Sequence, residues 1–437
     1  MLASVLFAAP AAAMELSFDR AVEMIVAESH DIKKADAGVR RAQAGLDSAN
    51  ANRWFKLEGS ATYMNIINMD NPGKPVGIAM PADLGGVVAG GGMAASIPSF
   101  IEFPDNIAMA GVTLTQPIYT FGKIGNAADA ARGAIGMLES GRDLARSEVK
   151  YAAAQIYWTA KMTDGMVAIA EKNLKASNDA QRLLTAAGRA NRINLVKISA
   201  DISAKEIALS DAKFNRDSAY RLLKILAGIG EDEDVALTTP FPEKFNELDA
   251  PSALSANPEW DMLEAKAKSY DASAASRRAA HYPTLAATAS YNWVATHTDY
   301  QVWQGRKTQA ANWGVALSVP IFDGGLARAN ATMDAMDAES ARQDLDKSRK
   351  LKSNEYNDAV LKYGHLVSNM DALGQARNLA ERAAGISRDR FAAGQTGAVE
   401  LSEVQAAVAQ MDTAVLNAKF NILMAEENVK KLMAEGK

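Results

Sequence analysis

The pattern of apolar and polar positions along this chain changes character twice, in the same order each time. In "KLEGSATYMNI", starting at Lys56, the residues Leu57, Gly59, Ala61 and Tyr63 alternate with Glu58, Ser60 and Thr62. In "TLAATASYNWVA", starting at Thr284, Leu285, Ala287, Ala289, Tyr291 and Trp293 alternate with Thr288, Ser290 and Asn292. A period of two with one apolar and one small polar face predicts a β-strand in each. A partner strand follows each one. "GVTLTQPIYTFG" at Gly111 to Gly122 offers Val112 and Leu114 on one side, and "GVALSVPIFDGG" at Gly314 to Gly325 offers Val315, Leu317, Val319 and Ile321. Beyond both phrases the alternation stops. No proline falls between Ile118 and Thr239, or between Ile321 and Lys437, and Ala, Leu, Lys, Glu, Gln and Arg fill both stretches. These are good helix formers. They predict helices over about 123–187 and 194–227, and again over about 326–393 and 399–434, broken at "AAGRANRIN" and "AAGQTGA". At 1.5 Å per residue each outgoing helix would run roughly 100 Å, too long for a compact domain. Hairpins packed like coiled coils are the expectation, with Ala allowing close approach.

The two halves are therefore copies of one plan: helix, strand, loop, strand, very long helix, tip, return helix. Gly111 corresponds to Gly314, Gly188 to Gly394 and Tyr63 to Tyr291. "HDIKKADAGVRRAQAG" at His30 corresponds to "NPEWDMLEAKAKSYDA" at Asn257, where Asn-Pro makes a cap and first turn. The domain reading is a leader over 1–13, a first repeat over 14–229, a linker over 230–256 and a second repeat over 257–437. Between strand and long helix lies a joint. Pro117 and Pro320 are expected to end the ladder, since proline lacks the N–H that a ladder needs. Gly122, and Gly324 with Gly325, supply the freedom to turn.

Composition adds mostly exclusions. "MLASVLFAAPAAAMELSF" has a short apolar core and then small residues, as in a secretory signal cleaved near Ala13. The Lys or Arg expected before that core is missing, so a start codon further upstream is allowed for. No later run is apolar for the length of a membrane helix. Cysteine is absent, which removes disulfides, thiolate metal sites, a Cys nucleophile and a lipid-bearing Cys together. An exported chain of this kind is periplasmic, secreted or an outer-membrane β-barrel. The net charge of −5 gives no case for nucleic acid. "FGKIG" at Phe121 lacks the spacing of a phosphate-binding loop, and the four histidines form no metal pair. No Gly-x-Ser-x-Gly elbow appears, so an enzyme is not expected and no cofactor or metal is called for. Met69, Met80 and Met93, with Met64 and Met109 nearby, lack the spacing of a copper site. "EDED" at Glu231 to Asp234 lacks the glycine of a calcium loop and reads as a solvated linker.

Ten-residue strands with one polar face suit a membrane barrel whose lumen holds water. Aromatic residues gather near them: Trp54, Phe55, Tyr119 and Phe121 in one half, Tyr282, Trp293, Trp303, Trp313 and Phe322 in the other. Such residues form interfacial girdles. Four strands cannot close a barrel, and lipid tolerates no open edge, so further copies must complete a ring.

The duplicated Pro-Ile-aromatic turn, the Asn-Pro start of the second half and the two tip glycines together resemble the TolC-like outer-membrane factors of drug efflux and type I secretion. The resemblance spans nearly the whole mature chain. It implies a fold that is mainly α with a membrane β part, built as a homotrimer. Twelve strands would form a barrel in outer-membrane lipid and continue into a periplasmic α-helical barrel. It implies docking onto a periplasmic adaptor protein coupled to an inner-membrane ABC or RND transporter, in a Gram-negative bacterium. By position, Glu400 and Glu403 match the acidic pair that constricts the closed periplasmic end in this family. Lying three residues apart, they share one helical face. The plainer reading is that acids in a first helical turn complement the dipole. The other tip offers Arg189, Arg192 and Lys197 as partners for an acidic neighbour. Gly188 and Leu195, with Gly394 and Leu401, mark where an adaptor would dock. A periplasmic coiled-coil adaptor or scaffold is the competing expectation, since it too uses long hairpins.

Overall fold

A computed structural model of the chain describes residues 13–65, 106–186, 192–297 and 305–433. Most of the leader, the Gly- and Met-bearing loop after Asn65, Trp303, Gly188 and Arg189 lie outside the described residues. In chain order the elements are β1 (Met14–Leu16), α1 (Phe18–Glu28), α2 (His30–Ala51), β2 (Lys56–Asn65), β3 (Asn106–Tyr119), α3 (Lys123–Ala186), α4 (Arg192–Ala227), β4 (Val235–Leu237), α5 (Pro258–Arg278), β5 (Thr284–His297), β6 (Arg306–Ser318), α6 (Leu326–Ala392) and α7 (Ala398–Met433). The outgoing helices α3 and α6 hold 64 and 67 residues without interruption. Their bounds and those of the return helices agree with the predicted spans to within two residues.

Two compact units result, and each combines segments from both halves of the sequence. One is drawn from Gly38–Leu138 and Met262–Asp344. It holds an antiparallel sheet of order β2-β3-β5-β6. Register sorts its side chains cleanly. Leu57, Leu114, Ala289 and Trp313 lie in one row, and Gly59, Val112, Tyr291 and Ala311 in the next row on that same face. The opposite face carries Glu58, Thr113, Ser290 and Asn312 in one row and Lys56, Thr115, Thr288 and Gly314 in another. The apolar face is bare: Trp313 is 88 % exposed, and Leu57 and Leu317 are each 63 % exposed. Strands β2 and β6 are the open edges. Proline does not stop the first ladder as expected. Pro117 pairs with Ala286, and β3 continues to Tyr119 across a register shift, because a bulge absorbs the missing donor. The second ladder ends at Ser318, two residues before Pro320.

Below the sheet in this unit, α5 packs tightly on α3. A Cβ at Gly133 would sit 2.7 Å from the Cα of Ser269, so only glycine permits the approach. The Ser269 hydroxyl donates to the Ala130 carbonyl at 2.8 Å across that contact. On its other side α5 is tied to α6, where Ser273 and Arg277 both donate to the buried carboxylate of Asp334.

The other unit takes Met1–Ala37, Glu139–Asp261 and Leu345–Lys437. Here a feature absent from the sequence reading appears: β1 and β4 form a parallel pair, with Leu16 opposite Leu237. Both leucines are buried against Tyr157 and Trp158 of α3 and Leu223 of α4. The Tyr157 hydroxyl donates to the Leu16 carbonyl and accepts from the Thr239 amide, each at 3.2 Å. Lys161 donates to the Leu237 carbonyl at 2.7 Å. The linker is exposed at Glu231 to Asp234, and its later part is anchored on helices α6 and α7. Tyr363 donates to the Asn246 carbonyl at 2.9 Å and Tyr356 to that of Pro251 at 2.6 Å, while Leu248 and Leu254 cover Val429 and Leu432. Asn257 caps α5 by accepting from the Glu259 amide at 2.9 Å, and its own amide donates to the Leu432 carbonyl at 3.0 Å.

Candidate functional site at the helix tips

The ends of the two hairpins meet in a small core of Ala180, Leu184, Ile198, Phe391, Ala398 and Leu401. Helix α6 ends there in a glycine cap. Gly394 has φ of +76°, and the Gln395 amide reaches back to the Arg390 carbonyl at 2.8 Å, closing the Schellman pattern. The chain re-enters helix at Ala398, so Leu401 falls on the inner side and is 2 % exposed. Glu400 and Glu403 then fall on the opposite side. Both are exposed, and neither makes an ion pair among the described residues. On the first hairpin Leu195 is half-buried and Lys197 exposed, whereas Ile198 is the side chain that anchors the turn. Helix α4 opens at Arg192.

Two half-buried carboxylates that carried no signal in the sequence tie the hairpins together. Asp201 on α4 accepts from the hydroxyl of Ser402 on α7 at 2.8 Å and from that of Ser177 on α3 at 2.7 Å. Lys205 donates to the same carboxylate at 2.8 Å and to the Ser177 oxygen at 2.6 Å. Burial opposes ionisation of Asp201, but the hydrogen bonds from Lys205, Ser177 and Ser402 outweigh it and hold the carboxyl below its ordinary value. Further along, Asp412 on α7 receives Lys172 of α3 at 2.9 Å and the guanidinium of Arg377 on α6. Here too burial is overcome by the hydrogen bonds of the two cations, and the carboxyl titrates below its ordinary value. Between α3, α6 and α7 lies a cavity of about 310 Å³, lined by Ile169, Ala176, Leu183, Leu401 and Val408, with Lys172 and Asp412 among its polar lining.

The site is defined by charge and by packing. It is an acidic, exposed helix face (Glu400, Glu403) held at a fixed place by a small apolar core and by charged links spanning three helices. A local sequence window shows the acidic pair. It does not show Asp201 or Asp412, whose partners Ser402 and Lys172 lie in the other half of the chain.

Residues 250–435 match the model of the outer membrane efflux protein family. No curated protein matches the chain. Among solved structures, the Campylobacter jejuni CmeC outer membrane channel is 17 % identical, with 95 % of this chain and 85 % of that one covered and a TM-score of 0.77. The outer membrane protein VceC of Vibrio cholerae is 16 % identical over 96 % of both chains, with a TM-score of 0.72. The Neisseria gonorrhoeae MtrE outer membrane channel in its open state is 15 % identical, with coverage of 95 % and 88 % and a TM-score of 0.74.

Proposed function

We propose, for a chain whose residues 250–435 match the outer membrane efflux protein family and whose fold is that of outer-membrane channels, that it is the exit duct of a tripartite efflux or type I secretion system. In this reading a homotrimer passively exports what an inner-membrane pump and a periplasmic adaptor hand to it. The observation that carries the reading is the four-stranded sheet with two open edges and two unlike faces. Its strands alternate in direction, so β6 of one copy and β2 of the next run antiparallel and can pair. Two copies would give an eight-stranded barrel, which side chains fill, whereas three give twelve strands and room for a lumen. The apolar face extends from Leu317 and Leu285 to Ala61 and Ala110. That is roughly ten positions, or about 25 Å at the usual strand tilt, the height of an outer-membrane apolar band.

The helices support the same assembly. Val196, Ile207, Phe214 and Ile225 leave an exposed apolar stripe on α4, and Leu351, Leu361, Leu379 and Ile386 leave one on α6. A neighbouring copy would cover both. With three copies, Glu400 and Glu403 would set six carboxylates round the axis at the periplasmic end and focus a field that favours cations. The tips, with Lys197 and Gly394 exposed and Leu195 half-buried, are where the adaptor would seat.

Two experiments test this. Outer-membrane fractions should contain a heat-modifiable trimer, and extraction as a soluble periplasmic monomer would count against the duct. In planar bilayers, Glu400→Gln with Glu403→Gln should leave the trimer intact and raise single-channel conductance or reduce cation preference. Unchanged conductance and selectivity would remove the gate from these residues.

A further inference from the structure

The geometry points to Lys56 and Glu58 as a two-tier charge filter inside the strand-built part of the pore, independent of Glu400 and Glu403. This inference rests on the trimeric duct. It adds a second place where the permeating solute is sorted by charge.

Glu58 is the sole carboxylate in β2, β3, β5 and β6. Register puts it on the small polar face, in one row with Thr113, Ser290 and Asn312. That row holds hydroxyl and amide groups but no cation. Both Glu58 and Lys56 are exposed, and neither makes an ion pair among the described residues. Lys56 is on the same face two residues nearer the helices, in the row of Thr115, Thr288 and Gly314. Two residues along a strand are ~7 Å. The two charges are therefore in adjacent tiers rather than in one pair.

Closing three copies into a barrel turns this face inward. Three ammonium groups then form a ring where the barrel opens to the helical tunnel, and three carboxylates form a ring one step further out. A charge on an edge strand also discourages stray strand pairing. That role needs a charge of either sign and sorts nothing. The filter differs because its tiers oppose each other. At an ionic strength of ~0.1 M the screening length is ~10 Å, so each ring partly cancels the other at the pore wall. Removing one ring unmasks the other.

The test is the reversal potential of the purified trimer in planar bilayers across a potassium chloride gradient. Glu58→Gln should lower the cation-to-anion permeability ratio and Lys56→Gln should raise it, each by on the order of twofold. Glu58→Lys should lower it further. If wild-type channels form and Glu58→Gln, Lys56→Gln and Glu58→Lys all leave the ratio unchanged, the filter is wrong and the duct stands. Shifts of the same sign for Glu58→Gln and Lys56→Gln also overturn it. If the wild-type protein forms no channel, the duct falls and the filter with it.

Discussion

The two joints between strand and long helix are built from corresponding residues, yet they hold their turns by different means. In the first, β3 runs past Pro117 to Tyr119, and the turn is made by Phe121 at φ +48° and Gly122 at φ +87°. Phe121 tolerates the left-handed conformation because its ring is held. It meets Tyr119 edge-on at 4.5 Å and Tyr282 at 6.2 Å. In the second, the ladder stops at Ser318, and Gly324 and Gly325 take φ of +68° and +85°. The polar cap comes from Asp323, whose carboxylate accepts from the Gly325 amide at 2.8 Å and the Ala327 amide at 2.9 Å. Its aromatic neighbour Phe322 is 88 % exposed. The first joint follows a central strand and packs against its own chain. The second follows an edge strand and keeps its apolar residues free for whatever covers that edge. Duplication supplied the turn, and the position of each strand in the sheet decided how the turn is held.

Substitution at the glycines is the strongest way to break this comparison. Valine at φ near +85° costs ~1–2 kcal/mol or more wherever it is placed. At Gly122 a Cβ would also press to 3.2 Å on the Asn126 amide, whereas at Gly325 it meets open space. Gly122→Val should therefore lower the unfolding temperature of the detergent-solubilised protein by more than Gly325→Val does. Equal effects would mean that the crowding at the first joint is without consequence. A smaller effect comes from exchanging the paired residues. Phe121→Gly removes ~1 kcal/mol of backbone strain but loses ring contacts of ~0.5–1.5 kcal/mol each and adds chain entropy, so a net loss of about 1 kcal/mol is expected. Gly324→Phe takes on the strain where a Cβ meets open space and should be the more damaging of the two. Thermal unfolding of both variants decides the order, and a stabilised Phe121→Gly would show that the aromatic contacts do not hold the first turn.

How much of this was legible beforehand depends on the range of the forces involved. Helices α3, α4, α6 and α7 declared themselves because their proline-free, Ala-rich runs are long enough for propensity to add up. Strands β2 and β5 did so through alternation that register later converted into two faces. The pair β1 and β4 is three residues long on each side, too short to carry a period, and its stability comes from Tyr157 and Leu223 far along the chain. The bulge after Pro117 was missed for a related reason. Proline in isolation argues for the end of a strand, and only the neighbouring β5 makes it worthwhile to continue. At the tips, Glu400 and Glu403 stand out as acids at a helix start, whereas Asp201 looks like any solvated helix residue until Ser177 and Ser402 are brought to it.

The smallest expected difference between the joints is one of pH. The amides of Ala327 and then Gly325 hold the Asp323 carboxyl below its ordinary value against a slight desolvation, and His281, 4.0 Å away, adds to the depression when it carries a proton. A folded value below the unfolded one of about 4 means that the cap contributes above that pH and is lost as pH falls through the folded value. Thr120, the residue at the same place in the first joint, has no titrating group. Asp323→Asn should leave unfolding near neutral pH only slightly easier while flattening the decline in stability between pH ~5 and ~3. Thr120→Asp, if the first turn accepts the same cap, should steepen it. A decline that is unchanged in Asp323→Asn would assign the acid sensitivity to Asp201 and Asp412, half-buried carboxylates that titrate in the same direction.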